Sequence, residues 1–170
     1  VDLNHLRYGL LSLREEHIGV NIDVLLVTAN ILIHCLIVSI LYWRNPMPLR
    51  RLLSIYIFSS WISYTGNHLG LLFGVWDFTS PVIGKSGTAL LYDLLGFPHK
   101  AIMLTYLLKP SFLYNTILIA CVSGLTVAWE WLGLHYSQLI VYHHWTLAQT
   151  YVAAFAVYSF IAYLFQKKVL

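Results

Sequence analysis

Apolar stretches of about 20 residues recur along this chain, and they constrain its fold more than any other feature. A helix needs about 20 mostly apolar residues to cross the hydrocarbon core of a bilayer. Hydrophobic residues make up 59% of the 170 residues and charged residues 10%, whereas soluble domains have about 45–50% and about 25%. A soluble fold of this length cannot bury so much apolar surface. The sequence therefore predicts an integral membrane protein and argues against a soluble enzyme, a nucleic-acid-binding domain or a disordered chain.

The spacing of the apolar stretches predicts an all-α, polytopic membrane helix bundle that forms a single membrane domain over residues 1–170. We expect five transmembrane helices, at about residues 22–43, 52–76, 88–108, 112–132 and 150–166. Residues 1–20 do not form a span, because leucines recur there every three or four residues with charged residues on the other faces. This pattern is typical of an amphipathic helix that lies in the membrane interface.

The third span is the most irregular of the five. It contains Asp93, Pro98, His99 and Lys100, and a proline inside a helix removes a backbone hydrogen bond and kinks or breaks the helix. We therefore predict a broken third span. Two alternatives stay open: a single distorted helix, or a short re-entrant or interfacial piece over residues 88–97 followed by a half-length helix.

The distribution of basic residues predicts the orientation of the bundle. With five spans, most of the ten Lys and Arg residues fall on one side, and we count Lys100 and Lys109 there. Cytoplasmic loops carry an excess of Lys and Arg. We expect a plasma-membrane protein with its N-terminus outside and its C-terminus in the cytoplasm.

Polar side chains in the spans gather toward the outer half of the expected bundle. An ionisable group at membrane depth is costly and indicates a specific partner or a function. Depths counted at about 1.5 Å per residue place most of this polar set below the outer boundary. The candidate site residues are His34, Asn67, His68, Asp93, Glu130, His135, Tyr142 and Trp145. Together they suggest an outward-facing pocket or polar network.

The histidines and Glu130 are the residues that could bind haem or a metal ion. A bis-histidine haem needs two imidazoles at matched depth, and His34 and His68 differ by about 7 Å in expected depth. A metal site built from Glu130, His135, His143 and His144 has suitable ligand types but lacks the spacing of known metal motifs. The sequence therefore predicts no cofactor.

Asp93 and Glu130 form a pair of carboxyl groups that permits two interpretations. They can carry out acid–base chemistry or relay protons. Alternatively, each accepts hydrogen bonds from neighbouring helices and fixes their register. The residues alone leave both interpretations open.

Three segments of the C-terminal half carry a resemblance to a known family. They are Leu-Tyr-Asp at 91–93, Ala-Trp-Glu-Trp-Leu at 128–132 and Ile-Val-Tyr-His-His-Trp at 140–145. In these segments and in the aromatic last span, the chain resembles a family of small uncharacterised multi-pass membrane proteins found mainly in spore-forming Gram-positive bacteria. The resemblance implies the membrane architecture, singles out Asp93, Glu130, Tyr142 and Trp145, and supplies no activity. His99 and Lys100 depart from the family pattern, which has apolar residues after the proline.

Two hypotheses of function follow. The first is a non-catalytic accessory subunit that contacts the lipid bilayer and other membrane subunits or further copies of itself, because the short loops leave no room for a soluble catalytic domain. The alternative is an outward-facing intramembrane pocket that binds a lipid, a quinone, a metal or a proton, in a membrane enzyme or sensor. The first hypothesis is favoured, and it predicts neither enzymatic activity nor a nucleic-acid partner.

Overall fold

The computed structural model describes residues 21–80 and 83–170, and in this part the chain is mostly helical. Its helices are α1 (Ile22–Arg44), α2 (Leu49–Leu72), α3 (Lys85–Leu91), α4 (Phe97–Leu107), α5 (Phe112–Tyr136) and α6 (Leu147–Gln166). Two short strands, β1 (Trp76–Phe78) and β2 (Ile140–Tyr142), lie between helices. The amphipathic helix predicted over residues 1–20 lies outside the described residues.

Side chains at the predicted turns define where the helices begin. Asn21 Oδ1 accepts a hydrogen bond of 3.2 Å from the backbone N–H of Val24 at the start of α1. Ser111 and Thr146 cap α5 and α6 in the same way. Such caps satisfy N–H groups that have no partner inside the helix. Helix α2 instead begins directly after Pro48, whose ring fixes a backbone angle that suits a helix start.

The third predicted span is one distorted helix. Helix α3, a π-helical turn at Tyr92–Gly96 and helix α4 follow one another without interruption over residues 85–107, and we call this stretch the central helix. The wide π turn lies just before Pro98, which occupies the first turn of α4. Proline has no backbone N–H, and at the start of α4 after the π turn no regular helical hydrogen bond is lost through its absence. The structure therefore has the single distorted helix and not two separate pieces.

The helical units run alternately up and down. Arg51, near the start of α2, donates from Nη2 to the carbonyl oxygen of Phe165 at 2.9 Å and from Nε to that of Leu170 at 3.0 Å, so α2 begins beside the end of α6. At the opposite end, Asp23 at the start of α1 accepts from Ser80 Oγ at 2.5 Å and from the backbone N–H of Gln138 at 2.9 Å. We call the Asp23 end the cap end and the Arg51 end the latch end.

Strands β1 and β2 form a two-stranded antiparallel ribbon at the cap end. Trp76 pairs with Tyr142, and Phe78 pairs with Ile140. The backbone N–H of His143 also donates to the carbonyl of Val75 at 3.0 Å. In the predicted arrangement, residue 76 ends the second span and residues 140–142 fall between the fourth and fifth spans. The ribbon brings together two aromatic side chains that lie 66 residues apart in the chain and places them over the bundle.

The described helices bury polar side chains and expose apolar ones. In α1 the buried residues include Asn30 and His34, while leucines such as Leu32 and Leu36 are exposed. The central helix packs against α1, α2, α5 and α6, and its Asp93 and Lys100 are each only 2% exposed. In soluble proteins Lys and Asp are almost never fully buried.

Three of the described helices, α1, α5 and α6, are long enough and apolar enough to cross a membrane. This agrees with the prediction of a helical membrane protein but does not by itself support five spans. Helix α2 falls short because serines and other polar residues dilute its apolar character. The central helix falls short because the π turn divides it into α-helical pieces of only 7 and 11 residues.

Candidate functional site

Two adjoining cavities lie beneath the ribbon at the cap end. The first, which we call the lysine cavity, has a volume of about 210 Å³, and the second, the aspartate cavity, has about 640 Å³. Asn67 and Trp76 line both. The walls of the lysine cavity are mainly apolar and aromatic, with contributions from Ile62, Trp76, Phe78, Tyr92, Phe97, Ile140, Tyr142, Trp145 and Val157. Such walls with a few polar groups are typical of small-molecule sites.

Lys100 supplies the cationic group of the lysine cavity. It lies in the first turn of α4, just after the π turn, and is buried and lines the cavity. Its ammonium group has no hydrogen-bond partner among the described residues, and its charge interacts with that of Glu130. No ion pair within 4.0 Å joins the two groups in this part of the chain. Lys100 therefore has an opposite charge nearby but no direct partner.

Glu130 supplies the carboxyl group on another wall of the same cavity. Its Oε2 accepts hydrogen bonds from the Tyr142 phenol and from Thr150 Oγ1, the latter at 2.9 Å. Trp145 Nε1 donates in turn to Thr150 Oγ1 at 2.8 Å. Two direct partners, one from the ribbon and one from α6, thus hold one oxygen in place, and Trp145 in turn positions Thr150. In the described residues Oε1 has no partner.

The Tyr142 phenol donates a hydrogen bond to Glu130 and keeps its proton over the physiological pH range. Burial raises the pKa of its phenol, and the neighbouring Glu130 carboxylate raises this pKa further. Both effects disfavour the phenolate, because it would be a second negative charge in an apolar site. The phenol therefore keeps its proton at neutral pH and continues to donate to Glu130.

The aspartate cavity contains a second carboxyl group with its own donors. Asp93 Oδ1 accepts hydrogen bonds from Ser63 Oγ at 2.7 Å and from Asn67 Nδ2 at 2.6 Å, both from α2. His68 lines the same cavity and stacks on Tyr64, with 5.8 Å between ring centroids. Asn67 therefore connects the two sites, since it binds Asp93 and also borders the lysine cavity.

The structure brings six of the eight predicted site residues to these cavities. They are Asn67, His68, Asp93, Glu130, Tyr142 and Trp145. His34 and His135 lie elsewhere. His34 is buried on α1, where its Nδ1 lies 2.6 Å from the carbonyl oxygen of Asn30. His135 is exposed at the end of α5, bonds the carbonyl of Trp131 at 2.9 Å and packs against that indole. Each imidazole contacts a backbone carbonyl oxygen of its own helix, and neither lines the two cavities.

Lys100 is the most important residue that the sequence analysis misplaced. It was counted with the basic residues of the inner side, whereas its side chain lies in the cavity with Glu130. Depth was counted from helix ends, and neither the π turn nor the ribbon that extends the bundle beyond α5 was included. Trp76 and Thr150 were missed because isolated residues of these types carry no signal until the fold places them.

The described residues contain no group of three or more His, Cys, Asp and Glu side chains that could hold a metal ion. For haem, His34 and His68 lie on different helices that both pack against the central helix, and only His68 lines either cavity. The site therefore offers an amine, two carboxyl groups and aromatic surfaces. The prediction of no cofactor stays a prediction.

Comparisons with protein families, with curated proteins and with solved structures gave no match. The resemblance noted in the C-terminal half stays a prediction, and the function has to be argued from the cavities alone.

Proposed function

We propose that this membrane protein binds a neutral, lipid-like molecule whose oxygen-bearing polar group sits in the lysine cavity between Lys100 and Glu130. The observation that carries the proposal is the burial of Lys100 without a direct partner in a cavity whose other walls are mainly apolar and aromatic. A buried charge without a partner is strongly unfavourable. A bound molecule that accepts a hydrogen bond from Lys100 removes this cost.

The charges of the cavity select the kind of polar group. Lys100 offers donors, and Glu130 offers the oxygen that the protein leaves open. An anionic group would be repelled by an ionised Glu130, and a cationic group by Lys100. A neutral carbonyl or hydroxyl group fits between them, because its oxygen accepts from Lys100 and a hydroxyl hydrogen can be donated to Glu130.

The apolar part of the ligand has two places to lie. The lysine cavity, at about 210 Å³, holds a polar group and a short adjoining segment. Drug-sized ligands occupy pockets of about 300–1,000 Å³, so a longer chain would extend out of the cavity along apolar helix surfaces. Ala153 and Val157 of α6 form an apolar wall in that direction.

We also propose that all five helical units cross the plasma membrane, with the cap end outside and the C-terminus in the cytoplasm. The exposed face of α2 supports this, because it is apolar, with Ile57 and Trp61 exposed by 64% and 62%, while Ser59 and Ser60 are buried. A helix with this arrangement is suited to lipid. The latch end carries Arg51 and Lys168, consistent with a cytoplasmic excess of basic residues.

The accessory-subunit hypothesis stays a prediction beside this one. A partner bound through the lipid-exposed helices would explain a small protein with short loops, but it gives no reason for a buried amine and an open carboxyl oxygen in one cavity. A stoichiometric protein partner in mild detergent, found together with an unoccupied cavity, would favour the accessory role.

Photolabelling tests the binding proposal. The purified full chain is irradiated with a diazirine-bearing long-chain alcohol, and labelled residues are identified by mass spectrometry. We expect labels on residues that line the lysine cavity, and we expect 1-dodecanol to compete. Lys100→Met should reduce this labelling at least tenfold. Lys109→Met is the matched control, because Lys109 lies over the Tyr114 ring away from the cavity. Labelling that is equal in the three proteins would overturn the proposal.

A further inference from the structure

The lysine cavity combines three features that also suit a covalent reaction at Lys100. The Lys100 amine is unpartnered and buried. The Glu130 carboxyl group is fixed through Oε2, and its Oε1 is open. The remaining walls are largely apolar and aromatic. Lysines that form Schiff bases with carbonyl compounds are amines in such desolvated pockets.

We propose that Lys100 Nζ forms a Schiff base with a long-chain aliphatic aldehyde bound in the lysine cavity. This inference rests on the proposed function and specifies the polar group of its ligand as a carbonyl.

The reaction balances with groups that line the cavity and with the aldehyde. After one proton has passed from the Lys100 ammonium group to the Glu130 carboxylate, unprotonated Nζ attacks the carbonyl carbon, a C–N bond forms, and one proton moves from nitrogen to oxygen to give a carbinolamine. Protonated Glu130 then gives its proton to the hydroxyl group, the C–O bond breaks, and water leaves. The products are a protonated imine on Lys100 and a Glu130 carboxylate beside it. No oxidant or reductant is consumed.

The geometry fits these roles. Lys100 and Glu130 both line the lysine cavity, and no ion pair within 4.0 Å joins them. Tyr142 and Thr150 hold the carboxyl group from one side, so that Oε1 is left for the substrate. After condensation, the carboxylate has a cationic imine as its partner. Buried intramembrane charges are commonly paired in this way.

The other described lysines provide internal controls. Lys109 lies over the Tyr114 ring and Lys167 near the Tyr163 ring, at 4.5 Å and 5.8 Å from the ring centroids. Lys167 and Lys168 are exposed near the latch end. These amines can react with an aldehyde in solution, but none of the three lines either of the two cavities.

Reductive trapping tests the inference. The purified full chain is incubated with hexadecanal and sodium cyanoborohydride, and adducts are quantified by peptide mass spectrometry. We expect Lys100 to be modified at least tenfold faster than Lys109, and Lys100→Met to abolish only the fast phase. Glu130→Gln should slow the fast phase by about 10²-fold, because it removes the general acid.

The outcomes separate the two proposals. Alcohol photolabelling that depends on Lys100, without a fast aldehyde adduct there, overturns the Schiff base and leaves the binding proposal standing. Absence of both signals in a folded protein overturns both. Equal rates at Lys100 and Lys109 also overturn the Schiff base, since the cavity would then add nothing to the reactivity of the amine. Thermal melting of each variant establishes that it is folded.

Discussion

At the scale of single residues, the burial of Lys100 has a consequence for stability. Replacing a side chain that is needed for packing destabilises the protein. A buried amine that serves to bind a ligand instead lowers the stability of the folded protein while the site is empty, so its replacement stabilises the protein. We predict that Lys100→Met raises the free energy of unfolding of the ligand-free protein by about 1–3 kcal/mol. The measurement is thermal unfolding in detergent after delipidation. Lys109→Met should change it little, and a clearly lower melting temperature for Lys100→Met would indicate a structural role.

Tyr142 gives a prediction that depends on pH. Its pKa is raised in the folded protein by burial and by Glu130, while a phenol in the unfolded chain ionises near pH 10. The stability that Tyr142 contributes is therefore complete below about pH 10 and is lost as pH rises toward the folded pKa. At pH 7, Tyr142→Phe should cost about 1 kcal/mol through the lost hydrogen bond to Glu130.

Above pH 10 the stability of the wild type should fall more steeply than that of Tyr142→Phe, by up to about 1.4 kcal/mol per pH unit. The two curves of unfolding free energy against pH should then converge. Unfolding measured between pH 7 and pH 11 checks this. Parallel curves would show that the Tyr142 phenol ionises equally easily in both states.

Part of the site could be found from the sequence because charge inside an apolar stretch is conspicuous. Asp93 and Glu130 stand out in this way, and the structure places them in adjoining cavities. Lys100 carries the same signal, but a lysine after a proline also reads as the basic end of a span. His34 and His135 were included for their residue type, and the structure shows that each bonds its own helix.

At the scale of elements, the contact between α2 and the ribbon depends on a glycine. A Cβ atom added at Gly70 would overlap the indole of Trp76, which lines both cavities. We predict that Gly70→Ala displaces Trp76 and destabilises the protein by about 1–3 kcal/mol. It should also weaken alcohol photolabelling of the lysine cavity. The measurements are thermal unfolding and labelling yield.

Gly124→Ala is the matched control for this change. Gly124 lies in α5, and a Cβ atom there meets open space. Replacing a helical glycine by alanine then stabilises by about 0.5–1 kcal/mol. If Gly70→Ala were as stable as Gly124→Ala, the indole would have to move at no cost, and the tight contact would not position the ribbon.

The helices were more predictable than their connections. The expected spans at 22–43 and 112–132 lie within α1 and α5, because continuous apolar stretches identify long helices reliably. The π turn was foreseen only as a break at Pro98. The ribbon could not be foreseen, because strands of three residues are too short to show an alternating pattern.

At the scale of the whole molecule, the inverted distribution of polar residues determines how the protein can exist. Apolar side chains such as Leu36, Ile57 and Phe160 face outward on different helices, while Asp93, Lys100 and other polar groups lie inside. In water, apolar surfaces of this kind would associate with one another. In a bilayer they contact lipid chains, which is energetically favourable. The buried polar groups then hold the helices together through hydrogen bonds rather than through the hydrophobic effect.

The five-span arrangement makes a prediction for cysteine accessibility. In a background of Cys35→Ala and Cys121→Ala, single cysteines are introduced at exposed positions of both ends, Phe73 and His144 at the cap end and Asn45, Ser111 and Lys168 at the latch end. An impermeant maleimide applied to intact cells should label the cap-end positions. The latch-end positions should be labelled only after permeabilisation.

Each pair of positions that follow one another in the chain brackets one helical unit from α2 to α6. If two successive positions are labelled from the same side, the unit between them does not cross the membrane. Labelling of the latch end from outside would reverse the orientation, because the basic residues there would then face the exterior.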